Sequence, residues 1–283
     1  MKTGFLPAVA LGASIAVFGA QAGAQSALSG SVSLSAGMMG YTHTDGDHSG
    51  IVPDLGIEGN IGMAAGDWMF SLDANAAQFR DASGNFDHYA PWGVASYGVH
   101  AGRMIGDAYV GAFFGGNSFQ GNDASNTNGY VTGTLWGVEG QFSPAGNGNL
   151  SVFGQIGRAD MVGDTGDTAF IGSFARLGLD IDTGNGFGFT IAAEGGFSPD
   201  IFEDAGDWGK YRLVTLEGRY QAGNLVYSIG GEMGQFTANT EDFATTNRLF
   251  ARVSIPFGPA PKRNLLKTPY GPGLAAAWAE TLD

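Results

Sequence analysis

The sequence predicts an all-β protein, a closed antiparallel up-and-down barrel of about twelve membrane-crossing strands, roughly ten to fourteen given the loose ends of Gly-rich strands. Three observations carry this. Apolar residues alternate with polar ones in stretch after stretch, the period-two pattern of a strand with unlike faces. Glycine takes 49 of 283 positions, well above its usual ~7% share. Each interior Gly costs a helix about 1 kcal/mol relative to Ala, which argues against long helices. Finally, the connections are sorted: those after odd-numbered strands run about 8 to 12 residues and those after even-numbered strands about 2 to 7.

The first 24 residues read as a secretory signal. Lys2 supplies the positive n-region, Phe5 to Phe18 form an uncharged apolar run, and Ala22-Gly23-Ala24 is a small-residue cleavage site before Gln25. The run is shorter than the ~20 residues a spanning helix needs. No other stretch approaches a transmembrane helix, so any embedding must use strands. The chain has no cysteine, and stability falls to packing and strand pairing. Its formal net charge is −14, and loss of Lys2 with the leader makes it about −15, which excludes the basic footprint a nucleic-acid partner requires.

Residues 25–258 then run as successive hairpins. In the first strand Leu28, Val32, Leu34 and Met38 alternate with serines and glycine, and a polar loop from His43 to Val52 follows. Leu55 to Met63 turns at Ala65-Gly66-Asp67 into Trp68 to Asn75. After the loop from Arg80 to Pro91 come Trp92 to Met104, a turn at Ile105-Gly106-Asp107, and Ala108 to Phe119. Gly129 to Phe142 and Asn149 to Ala159 form the next pair, then Thr168 to Asp182 and Phe187 to Glu194. Val214 to Tyr220 and Leu225 to Met233 flank Ala222-Gly223-Asn224, a corner whose Gly and Asn tolerate positive φ. A loop from Thr237 to Thr246 leads to the last strand, Asn247 to Phe257.

An even strand number returns the last strand to the side where the first began, so the two can pair and no lipid-facing backbone group stays unsatisfied. Sorting of loops by end is expected when turns face the periplasm and longer loops the outside. With its leader, dyad strands, sorted loops and a final strand Leu249, Ala251, Val253, Ile255, Phe257 that ends on an aromatic, the chain resembles the bacterial outer-membrane β-barrel proteins. The resemblance implies export to a bacterial outer membrane, contact with its lipid and lipopolysaccharide, and a porin-like channel for small solutes; it leaves the oligomeric state open. Trp68, Trp92, Tyr109, Tyr130, Trp208, Tyr211 and Phe257 lie near predicted strand ends, where rings sit at headgroup level. Phe257 does not end the chain, and Pro256 lacks the N–H for a ladder bond. Residues 259–283 form a Pro/Gly-rich tail around Lys262, Arg263 and Lys267. It is expected to extend into the periplasm; the alternative is a plug whose cations meet acids in the lumen.

If the apolar faces meet lipid, the alternate faces line the lumen. The residues expected there are Glu58, Asp73, His100, Glu139, Arg158, Arg176, Asp180, Glu194, Glu217, Arg219, Glu232, Arg248 and Arg252, with smaller polar residues between them. Rings of such charge select solutes, or pair across strands and close the interior. The long loops carry a second pattern, an acidic mouth that includes Asp45, Asp47, Asp164, Asp167, Asp204 and Asp207, which would concentrate cations. Asp45-Gly46-Asp47-His48 and Asp164-Thr165-Gly166-Asp167 lack the twelve-residue Ca²⁺ ligand spacing, so no metal and no cofactor is expected. His48 and His88 sit among loop aspartates, but no nucleophile elbow or HExxH motif occurs, and an enzyme is not expected. The leading expectation is passive diffusion of small cationic or neutral solutes. Its rivals are a closed structural or adhesive barrel whose acidic loops bind a partner or lipopolysaccharide through divalent ions, and a soluble periplasmic sandwich.

Overall fold

Twelve strands, each antiparallel to its neighbours in sequence, close into one barrel: β1 Ser29–His43, β2 Ser49–Ala65, β3 Trp68–Phe79, β4 Pro91–Ile105, β5 Ala108–Asn122, β6 Asn128–Phe142, β7 Leu150–Val162, β8 Thr168–Asp182, β9 Phe187–Asp200, β10 Gly209–Ala222, β11 Leu225–Ala238 and β12 Glu241–Phe257. A helix, α1 Gly271–Glu280, follows. The structure is a computed structural model and describes residues 28–43, 49–79, 91–122, 128–144, 149–163, 168–201, 208–239, 241–259 and 265–280.

Closure is made by β1 against β12, in register from Gly30 opposite Phe257 to His43 opposite Ala244. Pro256 lies in this closing strand opposite Ser31, near its end, where one missing ladder donor is tolerated. At the short-turn end, Gly66, Gly106 and Gly223 take φ of 65°, 61° and 60°, the left-handed geometry that two-residue hairpin turns demand.

At the other end the strands run further than the sequence suggested. β2 starts at Ser49 inside the expected loop, and β11 and β12 leave only residues 239 and 240 between them, where the expected loop ran from Thr237 to Thr246. Asn239 turns this corner with φ 48°, a geometry Asn tolerates better than most residues, and its Oδ1 accepts from the Trp208 N–H at 3.1 Å. Polar residues that read as loop continue the ladder there, since nothing in their composition prevents main-chain pairing.

The alternation sorts the side chains in the expected direction. Leu34, Ile51, Leu55, Leu177, Ile229 and Leu249 point outward, and the last two are each 72% exposed. An apolar exterior that continues around all twelve strands is far larger than the patches soluble monomers expose, and it is the band by which a barrel meets hydrocarbon. A soluble sandwich would bury these residues between two sheets. Trp68 and Phe257 face outward as expected of rings at the interface, whereas Tyr109 and Tyr211 turn inward and are 1% and 2% exposed. Their positions share the parity of the inward set, and each phenol finds a carboxylate inside.

Candidate functional site

The inner wall is assembled by the same parity. Glu58, Asp73, His100, Glu139, Arg176, Asp180, Glu194, Glu217, Arg219, Glu232, Arg248 and Arg252 all point into the barrel. Arg158 does not. It lies three residues after the inward Gln155, so period two places it outside, exposed and opposite Trp136 in the β6–β7 register. Asp54, absent from the expected set, is inward and 2% exposed; its even spacing from Glu58 was the available signal, obscured by Pro53 and the polar run before it. Asp45, Asp47, Asp164, Asp167, Asp204 and Asp207, with His48 and His88, lie outside the described residues.

The inward charges pair across strands. Arg248 donates from Nε and Nη2 to Asp54 at 3.0 and 2.6 Å and from Nη1 to Glu232 at 3.2 Å. Two pleat repeats further along β12, Arg252 donates to Glu217 at 2.9 Å and faces Glu58 at 3.6 Å, and both guanidiniums lie about the Phe250 ring, 5.1 and 4.9 Å from its centroid. Arg219 pairs with Asp180. On the opposite wall His100 presents Nε2 to Asp73 and Nδ1 to Glu139, each at 2.8 Å, and the Tyr109 hydroxyl donates to Glu139 at 2.9 Å. An imidazolium satisfies both carboxylates with two donated hydrogen bonds.

Further along, away from the short turns, the interior becomes apolar. Phe113, Phe119, Val131, Leu135, Met161, Phe170, Phe174 and Phe236 pack into one cluster inside the barrel. The polar lining read from the sequence therefore covers only part of the lumen, and inward positions of β5 to β8 toward this end are large and greasy.

The reason is the tail. Residues 265–275 occupy the lumen, correcting the expected periplasmic extension, and Leu274 and Ala275 of α1 complete the apolar cluster. Burying Leu266 and Leu274 contributes about 1.5–3 kcal/mol each to holding the segment inside. Lys267 reaches Glu58 through its Nζ, the meeting of tail cation and lumen acid that the plug alternative described. Thr268 donates its N–H and its hydroxyl to the two oxygens of Asp73, at 3.0 and 2.8 Å. The Lys267 carbonyl accepts from Gln155 at 3.1 Å and Arg176 at 3.3 Å, and the Pro269 carbonyl accepts from Asn117 at 3.3 Å. Tyr270 lies beside Glu232; burial first, then that carboxylate, push its phenol up from an ordinary value near 10.

α1 leans on β5 to β10, and the lumen keeps open space beside the tail. There a cavity of about 420 Å³ runs beside the tail, lined by Ser33, Glu58, Glu217, Arg248 and Arg252, with Met39 and Val94 toward the far end.

No family model matches the chain, and no curated protein matches it. Among solved structures, the translocator domain of the autotransporter NalP from Neisseria meningitidis is similar at 13% identity with a TM-score of 0.50, over 87% of this chain and 93% of that one. The P. putida toluene transporter TodX aligns at 7% identity and TM-score 0.45, covering 87% of this chain and 92% of its own. The outer membrane channel DcaP of Acinetobacter baumannii aligns at 11% and 0.43, over 81% and 96%. At these identities the likeness is one of fold, and the NalP domain carries it. The chain is an outer-membrane-type β-barrel: closed, antiparallel, twelve-stranded and apolar outside.

Proposed function

We propose that this protein is an outer-membrane pore for small cationic or neutral solutes whose lumen is closed at rest by its own C-terminal segment. The observation that carries the reading is the charged cavity that persists beside the docked tail, lined by Glu58, Glu217, Arg248 and Arg252. A barrel built only as a scaffold needs no open, charged space inside it. Inward carboxylates (Asp54, Glu58, Asp73, Glu139, Asp180, Glu194, Glu217 and Glu232) exceed the inward cations Arg176, Arg219, Arg248, Arg252, His100 and Lys267, which supports preference for cations once the tail withdraws. The exterior suits outer-membrane lipid. A passive role fits His100: both ring nitrogens are engaged by carboxylates, so neither is left to take a proton from the Thr268 hydroxyl 3.4 Å away.

Planar-bilayer recording tests this. The full chain should show rare or no openings, and chain whose tail has been cut from the barrel after folding and washed out should show steady, cation-preferring conductance. Silence from the folded, tail-free barrel would refute the pore. It would favour a closed structural barrel, to which the ion pairs and the apolar cluster filling much of the interior also lend support.

A further inference from the structure

Residues 265–270 have no helix or strand of their own, so their buried amides must be satisfied by the wall. Four side chains from four strands do so: Gln155 and Arg176 bond the Lys267 carbonyl, Asp73 the Thr268 N–H, and Asn117 the Pro269 carbonyl. Recognition of this kind reads an extended main chain and tolerates many side chains. Selectivity is added at two places. Glu58 meets a cation at position 267. At position 268 the hydroxyl and methyl of Thr268 enter a niche whose floor is the cross-strand pair Gly98 and Gly115. Neither glycine has a positive φ, yet a Cβ on Gly98 would fall on the Thr268 hydroxyl, and one on Gly115 would meet the Tyr97 carbonyl first and then the Thr268 methyl. These glycines leave room for a side chain.

We propose that the lumen wall is a receptor site for an extended oligopeptide bearing a cation, a small hydroxyl residue and proline in that order, and that the chain's own residues 267–269 occupy it as a built-in ligand. Peptides of this order that reach the end of the barrel at which β12 terminates compete with the tail for the same wall. The proposal deepens the plugged-pore reading by naming what the lumen recognises, and it rests on the tail being the plug.

The test keeps the barrel constant. A protease-recognition sequence is placed within residues 260–264 of the full chain, which is folded into phosphatidylcholine vesicles and then cut. Exchange of the cut tail for a fluorescent synthetic peptide of residues 262–283 is followed by polarisation. The expected result is saturable exchange, weakened on the order of tenfold in a peptide carrying Thr268→Val, because two hydrogen-bonding groups in the niche become one. Lys267→Met should weaken it similarly, and a peptide of the same composition in scrambled order should not compete. Equal competition by the scrambled peptide, or no exchange into the cut barrel, would overturn the proposal. Conductance is recorded separately: a barrel that exchanges peptide and never conducts keeps the receptor site and loses the pore, and one that conducts without exchanging does the reverse.

Discussion

Arg248 is the hub of the lumen's ion pairs, and its removal has a calculable cost. The Asp54 side chain is 0% exposed and that of Glu232 13%, and three of the arginine's donors serve them. Arg248→Met keeps much of the apolar volume near Phe250 but strands a dry carboxylate. Breaking a buried pair by deleting one partner costs about 3–5 kcal/mol, because the other charge keeps its desolvation penalty and loses its compensation. Urea unfolding from phosphatidylcholine vesicles, followed by tryptophan fluorescence and by mobility on unheated gels, should register a loss of that size. That is at least about two powers of ten in the folded-to-unfolded ratio. The stranded charge is the cause, so adding Asp54→Asn to the Arg248→Met chain should restore most of the loss, with a coupling of more than about 1 kcal/mol. A single variant within about 0.5 kcal/mol of the parent, or a double variant no better than the single one, would refute the argument that this pair is dry and mutually dependent.

Three further outcomes are expected. Ile229→Arg should cost about 2–4 kcal/mol at mid-bilayer, whereas Arg158→Leu, on the same exterior, should unfold no more easily than the parent; a large loss for the second would return Arg158 to the lumen. Gly98→Val should leave the barrel folded and expel Thr268 from its niche, and limited proteolysis should then cut the tail of the variant while sparing that of the parent. Tyr270 links docking to pH. Its phenol is raised in the docked state, so the stabilisation is complete below the ordinary phenol value near 10 and is lost as pH climbs from there through the docked value. Tail release measured by proteolysis should therefore rise above about pH 10, and less so in Tyr270→Phe.

The positions that sequence reasoning placed well are those governed by alternation. Leu34, Ile57, Ile229 and Leu249 outward and Glu58, Asp73, Glu194 and Glu232 inward follow from a side-chain period of two, which is local and needs no knowledge of partners. Arg158 shows that parity, not charge, decides the face, and Tyr109 and Tyr211 show that nearness to a strand end does not say which face a ring occupies. Asp54 was missed because β2 extends into residues that look like loop. Loop lengths were overestimated at the same end, since polar residues pair their main chains as readily as apolar ones.

By itself, then, the amino-acid order determined that the chain is β throughout, that its sheet closes on an even number of strands, and that its greasy face looks outward. The first and last are encoded in neighbours one or two residues apart, and the strand number in the turn signals between alternating runs. Only the tertiary structure decided what fills the barrel. Thr268 meets Asp73, Lys267 meets Glu58 and Leu274 joins the cluster that holds Phe119, across most of the chain's length. No local pattern records such meetings, because they depend on a lumen that exists only once β1 has found β12.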